Sequence, residues 1–232
     1  MTEDGRRGPE PEIVRSHLNS YHYFYGDAEA LRSLAESNAG TLDEVRFSRT
    51  AILLYVFSLE GLINRALETF LPPGLREYFL EREERLSTAD KWLLVPLLAG
   101  GRAGTFDRSR YPWNCFTDLI SLRNDFVHPK HDRYAYHRWS SDGTIRRLRW
   151  DEIPRDSGIP EKDCVYRQIR VPKNPHALEA SHALAVKKVV DDMVTELNHL
   201  LDGQIDDGFL HEETLDPVYP LGAEFDYSKF RD

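Results

Sequence analysis

The chain has 232 residues, 41% of them apolar and 11% aromatic, with a formal net charge of −9. That composition excludes an intrinsically disordered chain and is enough for one domain with a full core. The longest unbroken apolar run, Ala51 to Phe57, falls far short of the roughly 20 residues that a membrane-spanning helix needs, so no membrane association is expected.

The acidity is uneven. Between Asp202 and Asp232 nine acids stand against two bases, so this stretch alone carries −7. The body is nearly neutral, and residues 202–232 read as an acidic C-terminal tail. Cys115 and Cys164 have no metal-ligand spacing and suggest no disulfide framework. With an N-terminus that lacks an apolar leader stretch, they suit a cytoplasmic protein.

Residues 1–12 are polar with Gly and Pro and are expected to be disordered, leaving a single folded domain over 13–201. Asp27 is a plausible N-cap for a short helix over AEALRSLAES. Thr41 and Glu44 form a T-x-x-E capping box, in which each side chain satisfies the other's orphan backbone donor. A long helix then runs to about Phe70, where Pro72-Pro73 ends it. Its core stripe is Ile52, Val56, Leu59, Ile63, Ala66 and Phe70, and Leu53, Leu54 and Phe57 add a second apolar face. A helix apolar on two sides is central in its bundle or meets another subunit, which motivates a homodimer.

Ser87 to Asp90 opens a further helix, TADKWLLVPLL, and Gly100, Gly101 and Gly104 mark a loop. Pro112 suits the first turn of PWNCFTDLISLRNDFVH, which Pro129 stops. Phe116, Leu119, Ile120, Phe126 and Val127 are its expected core side. The pattern then changes over residues 133–172. YAYHRW and TIRRLRW flank an Asp-Gly turn and read as a β-hairpin, with CVYRQIRVP as a third strand. His176 to Leu201 is an amphipathic helix along Ala180, Leu184, Val189, Met193, Leu197 and Leu200. After Gly203 the chain reads as irregular. The expected fold is mainly α: a four- to five-helix up-and-down bundle with a small β-hairpin or three-stranded insertion before the last helix.

The segment that carries chemistry is Leu122-Arg123-Asn124-Asp125-Phe126-Val127-His128-Pro129. Arg123 and His128 are five positions apart, a little over one helical turn, at a proline stop. If the last turn loosens, both side chains can enter one cleft at the helix C-terminus, whose negative dipole end attracts a protonated imidazole. Histidine can move a proton, and arginine offers a positive fork to a phosphate. Together they can support attack of an RNA 2′-OH on the adjacent phosphate without a metal or cofactor.

Arg123-Asn124-Asp125-Phe126-Val127-His128 at the end of a bundle helix resembles the R-x4-6-H motif of HEPN domains, with Asn124 as the polar residue after the Arg. The resemblance covers roughly residues 41–130, including LEGLINRALE, plus the closing helix. It implies an HEPN-like bundle and a ribonuclease of the toxin or phage-defence type, in which Arg123 and His128 are catalytic across a homodimer cleft. It also implies RNA as substrate and an antitoxin or regulatory protein as a further partner. HEPN families include members without demonstrated cleavage, so a binding or interaction module stays open.

Glu60 and Asn64, one turn apart on the long helix, either hold Arg123 in position or form an exposed edge. Asp125 either orients His128 or faces solvent. From Lys130 to Lys173 eleven bases stand against seven acids, interleaved with aromatic residues. Arg133, Arg138, Arg146, Arg147 and Arg149, with Trp139 and Trp150, could form an RNA platform beside the motif, or be ordinary strand residues. No metal-ligand set, P-loop, dinucleotide glycine fingerprint or nucleophile elbow is present in the sequence.

Overall fold

A computed structural model describes residues 14–72, 74–75, 86–99, 104–128, 136–154, 156–211 and 214–217. The protein is mainly helical, with three short two-stranded sheets among these residues. The expected disordered stretch, residues 1–12, lies outside them.

Helix α1 spans Ser20–Ser37 and is capped by Asn19, whose side chain accepts from the His22 amide. It therefore starts seven residues before the expected cap at Asp27, which sits in its interior. The aromatic run Tyr21 to Tyr25 conceals its periodicity, because both polar and buried positions there carry rings. Helix α2 spans Leu42–Phe70 and packs along α1, joined by the turn Asn38–Thr41. Thr41 Oγ1 accepts from the Glu44 amide at 3.3 Å. Glu44 does not reach back to Thr41 as the capping box predicts; its Oε2 accepts from the Gly40 amide at 2.6 Å. Its other oxygen accepts from the Ala180 amide at 3.0 Å, so one carboxylate ties the starts of two helices.

Helix α3 is Thr88–Leu98, opened by Ser87 Oγ accepting from the Asp90 amide. Helix α4 is Trp113–Val127, after a cis Tyr111–Pro112 bond. Short α5 (Glu161–Cys164) precedes α6, Ala180–Leu200, and a separate 3₁₀ turn over Pro175–Ala177 replaces the expected earlier start of α6.

The core is built around α2. Ala51, Ile52, Tyr55, Val56, Leu59, Leu62, Ile63, Ala66 and Leu67 are all buried along it. An aromatic group of Trp92, Phe106, Trp113 and Phe116 fills the end toward α3 and α4, with ring centroids 5.3–5.7 Å apart. Phe116 and Leu119 are buried as expected, Ile120 and Phe126 partly so, but Val127 is exposed because it ends α4. Leu184, expected on the core side of α6, is also exposed. The second apolar face of α2 is partly used within the chain: Phe57 meets Phe24 of α1, and Leu54 packs on the core. By length and composition α2 could cross a membrane; here 56% of its apolar window is buried inside the fold.

The insertion differs from the expectation of three strands in one sheet. β2 (His137–Trp139) pairs with β3 (Ile145–Arg147) across the Asp142-Gly143 turn, where Gly143 takes φ +82°. CVYRQIRVP instead folds on itself, β4 (Val165–Tyr166) against β5 (Val171–Pro172). Part of the stretch after Gly203, expected to be irregular, is regular among the described residues. Ile205 is buried, α7 spans Asp207–His211, and β6 (Thr214–Pro217) pairs antiparallel with β1 (Val14–His17). Phe209 stacks on Phe70 at 5.3 Å, an anchor too short to show periodicity.

A polar network crosses the seam between α1, α2 and α6. Tyr25 donates to Asp191 at 2.6 Å, and Lys187 donates to both. Tyr55 donates to Glu29, which also accepts from Arg32. Burial pushes the Tyr21, Tyr25 and Tyr55 phenols well above the ordinary range, with Asp191 beside Tyr25 and Glu29 beside Tyr55 adding to it. Tyr111, donating to Asp192, is pushed up to about 12, by burial first.

Two predictions follow from this packing. A Cβ at Gly61 would lie 2.7 Å from Ser20 Cβ and 3.1 Å from the Ser20 and Tyr21 backbone, whereas Gly26 has open space. Gly61→Ala should therefore lose about 1–3 kcal/mol to overpacking, more than the roughly 1 kcal/mol gained in helix propensity, while Gly26→Ala should stabilise. Denaturant unfolding that ranks G61A at or above wild type would refute this close approach. The tyrosines give the second. A folded-state pKa raised above the unfolded value contributes stability present below about pH 10 and lost as pH rises through the folded values. Thermal midpoints should thus hold to about pH 10 and fall above it, and the last phenolates should appear only with unfolding. Titration of every tyrosine near pH 10 in a folded protein would count against the network.

Candidate functional site

Glu60 and Asn64 are four positions apart on α2, so they lie one above the other on the side that meets α3 and α4. Each takes a donor from a neighbouring helix. Arg123, on the last full turn of α4, donates from Nη2 to Glu60 Oε2 at 3.2 Å. Its Nε lies 3.2 Å from Glu60 Oε1 but is misaligned and makes no hydrogen bond. Nη1 donates to the Asn124 side chain at 3.0 Å, and the guanidinium lies 5.8 Å from the centre of the Phe57 ring. The Arg123 and Glu60 side chains remain 26% and 22% exposed. The guanidinium is thus fixed by Glu60 and Asn124 while part of the side chain stays open to solvent.

Thr88, in the first turn of α3, donates to Glu60 Oε1 at 3.3 Å. One turn along, Lys91 donates from Nζ to Asn64 Oδ1 at 2.8 Å. Asn64 therefore serves Lys91 and not Arg123. Lys91 is only 7% exposed, a buried ammonium whose cost is offset by such polar partners. Thr88 and Lys91 were not singled out from sequence, and Phe57 was read only as part of an apolar face. The available signal was the spacing of Lys91 with Val95, which puts a lysine on the buried stripe of α3.

His128 is the first residue beyond α4, with φ −125° and ψ 69°. Its amide still bonds to the Asn124 carbonyl at 2.9 Å, so the backbone leaves the helix at the imidazole itself. The side chain is exposed, and among the described residues its ring has no hydrogen-bond partner. Pro129, the expected stop, lies outside the described residues. Asp125 neither orients His128 nor faces only water: it accepts from the buried Tyr166 hydroxyl at 2.7 Å, tying β4 to α4.

The hairpin residues fall into two groups. Trp139 and Ile145 are cross-strand partners and stand 71% and 55% exposed, with Arg138 opposite Arg146. Much of the positive charge is neutralised locally. Arg146 donates to Glu152 at 2.8 and 3.0 Å, and Arg149 pairs with Asp151 at 3.4 Å. Arg133 lies outside the described residues, and only the backbone is described at Arg147 and Trp150. A cavity of about 390 Å³ lies in the insertion, lined by Asp151, Ile153, Pro154, Ile159, Glu161, Cys164 and Arg170, and shares no residue with the Arg123 cluster. Among the described residues no three His, Cys, Asp or Glu side chains gather to hold a metal ion.

The chain matches no protein-family model, no curated protein and no solved structure, so this geometry has to be interpreted on its own.

The half-buried pair between α2 and α4 should couple measurably. A double-mutant cycle with Glu60→Gln and Arg123→Met is expected to give about 1 kcal/mol, the upper end for solvent-accessible pairs. The same cycle between Glu60 and Arg138 should give nothing, and an Arg123 coupling equally close to zero would show that Glu60 does not hold the guanidinium.

Proposed function

We propose that the protein is an HEPN-like, metal-independent endoribonuclease of the toxin or defence type. The observation that carries this reading is the held guanidinium of Arg123, oriented by Glu60 and Asn124 on the last turn of α4, with exposed His128 as the first residue beyond that helix. In this mechanism the His128 imidazole takes the proton of an RNA 2′-OH. The 2′-oxygen attacks the neighbouring phosphorus, the P–O5′ bond breaks, and the 5′-oxygen leaves with a proton. Arg123 stabilises the charge that grows on the non-bridging oxygens. The products are a 2′,3′-cyclic phosphate and a 5′-hydroxyl, and the scheme calls on no cofactor.

Glu60 acts as a positioning residue, since a fixed guanidinium loses less freedom on meeting the transition state. Trp139 and Arg138 on the open hairpin supply a base-stacking ring and a phosphate contact to single-stranded RNA. A homodimer would bring a second Arg123 and His128 to the same cleft and give His128 a partner that it lacks among the described residues. An antitoxin or regulatory protein would cover that cleft in a cytoplasmic setting.

One observation favours a second reading, a non-catalytic HEPN-like module that binds RNA, a nucleotide or a protein. Asp125, the nearest acid in sequence to His128, accepts from Tyr166, and among the described residues His128 has no orienting partner, which makes a weak general base.

Labelled single-stranded RNA, incubated with EDTA and with wild type, Arg123→Ala or His128→Ala, separates the two. The nuclease reading expects cyclic phosphate ends from wild type and a loss of about hundredfold or more in each variant. Folded wild type that leaves the RNA intact, or three proteins that cut equally, would reject it in favour of the binding module.

A further inference from the structure

His22, in the first turn of α1, and His211, at the end of α7, meet where the C-terminal segment closes on the bundle. Their Nδ1 atoms lie 3.0 Å apart and their ring centroids 5.2 Å apart. The difference is about two imidazole radii, so both nitrogens lie close to the line between the rings and point at each other. A metal ion would need the two lone pairs to converge on a third point roughly 2.0–2.1 Å from each nitrogen. Facing nitrogens instead make an N–H···N hydrogen bond, with one ring donating and the other accepting.

The seam around the pair has two further fastenings. Buried Asn19 donates to the Leu210 carbonyl at 2.7 Å and to that of Phe209 at 3.4 Å. Phe209 lies between Phe70 and the Arg65 guanidinium, which sits 4.7 Å from its ring centre. An amide, a backbone carbonyl and a phenyl ring do not titrate; the histidines do. Among the described side chains, Asp207 of α7 stands one turn before His211, and Arg65 of α2 covers Phe209. On α1, the positions one turn from His22 are Asn19 and Gly26, which carry no charge.

We propose that His22 and His211 form a proton-shared latch that holds α7, Asp207–His211, on α1 and releases it when both rings are protonated. With both rings neutral, one donates to the other. One added proton keeps that bond and makes it charge-assisted. A second removes the remaining acceptor and sets two cations against each other at the same contact. The two protonations therefore belong to the pair and not to either ring. The latch holds while one of the two facing nitrogens stays unprotonated and opens on acidification.

The test uses the full-length chain, labelled with ¹⁵N. At neutral pH a scalar coupling between the two Nδ1 atoms, transmitted through the hydrogen bond, should be visible. Amide exchange of α7, residues 207–211, corrected for intrinsic base catalysis, should rise about five- to tenfold on acidification, as expected for one lost hydrogen bond. In His22→Phe and His211→Phe, which keep the ring packing at this exposed seam, exchange should already be faster at neutral pH and flat on acidification. Absence of the coupling, the same pH response in wild type and both variants, or loss of wild-type protection on adding EDTA at neutral pH would each overturn the latch, the last by revealing a metal clamp.

Discussion

The structure is organised around the burial of one helix. α2 is 29 residues long and apolar on more than one side, so it is stable in water only when other elements cover it. α1 covers it through the close approach at Gly61, α6 along another side, and α3 with α4 where the aromatic group gathers. Each buried Leu, Ile or Val side chain on α2 contributes roughly 1.5–3 kcal/mol, far more than any cap or ion pair on the surface. The capping residues therefore set where helices begin, while α2 sets where they lie. Glu44 does both, because its carboxylate satisfies the Gly40 amide at the start of α2 and the Ala180 amide at the start of α6.

Covering α2 brings polar groups into the seams, and two seams hold them in networks. Between α1, α2 and α6, tyrosines give hydrogen bonds to Glu29 and Asp191, and Lys187 and Arg32 balance the acids. That network rewards one register of three helices because any slip leaves further buried donors unpaired. Between α2, α3 and α4 a second network forms, in which Glu60 serves both Thr88 and Arg123. Each seam leaves one arginine Nε without an aligned acceptor, Arg32 in the first and Arg123 in the second.

The mainly helical class and the axis of α2 were legible because a long apolar stripe at 3.6-residue spacing has few other solutions. Thr41 and Ser87 were legible as caps because the physics is local. What escaped was non-local or hidden by composition. The start of α1 lies within an aromatic run, and its cap, Asn19, is held by α7 almost two hundred residues away. α7 is five residues long and depends on Phe209 finding Phe70, which no window of sequence reveals. The excess positive charge of the insertion could be counted, but its pairing with Glu152 and Asp151 depends on turn geometry. At the candidate site the motif residues were readable and the contact from Glu60 to Arg123 was one of two readings. The roles of Asn64 and Asp125 were not readable, because Lys91 and Tyr166 arrive from other elements.

This division bears on what the end of α4 can do. Arg123 is restrained by Glu60 of α2, whereas His128 is the residue at which helical backbone gives way. A held cation and an imidazole without a hydrogen-bond partner among the described residues are an unequal pair. Under the proposed mechanism the cation could meet a phosphate in a single chain, whereas the imidazole would need an orienting group such as a bound nucleotide or a second copy. Anion recognition at Arg123 would then be the less demanding step of that mechanism, and proton transfer by His128 the conditional one. Any chemistry here depends on what comes to rest against that imidazole more than on the bundle that presents it.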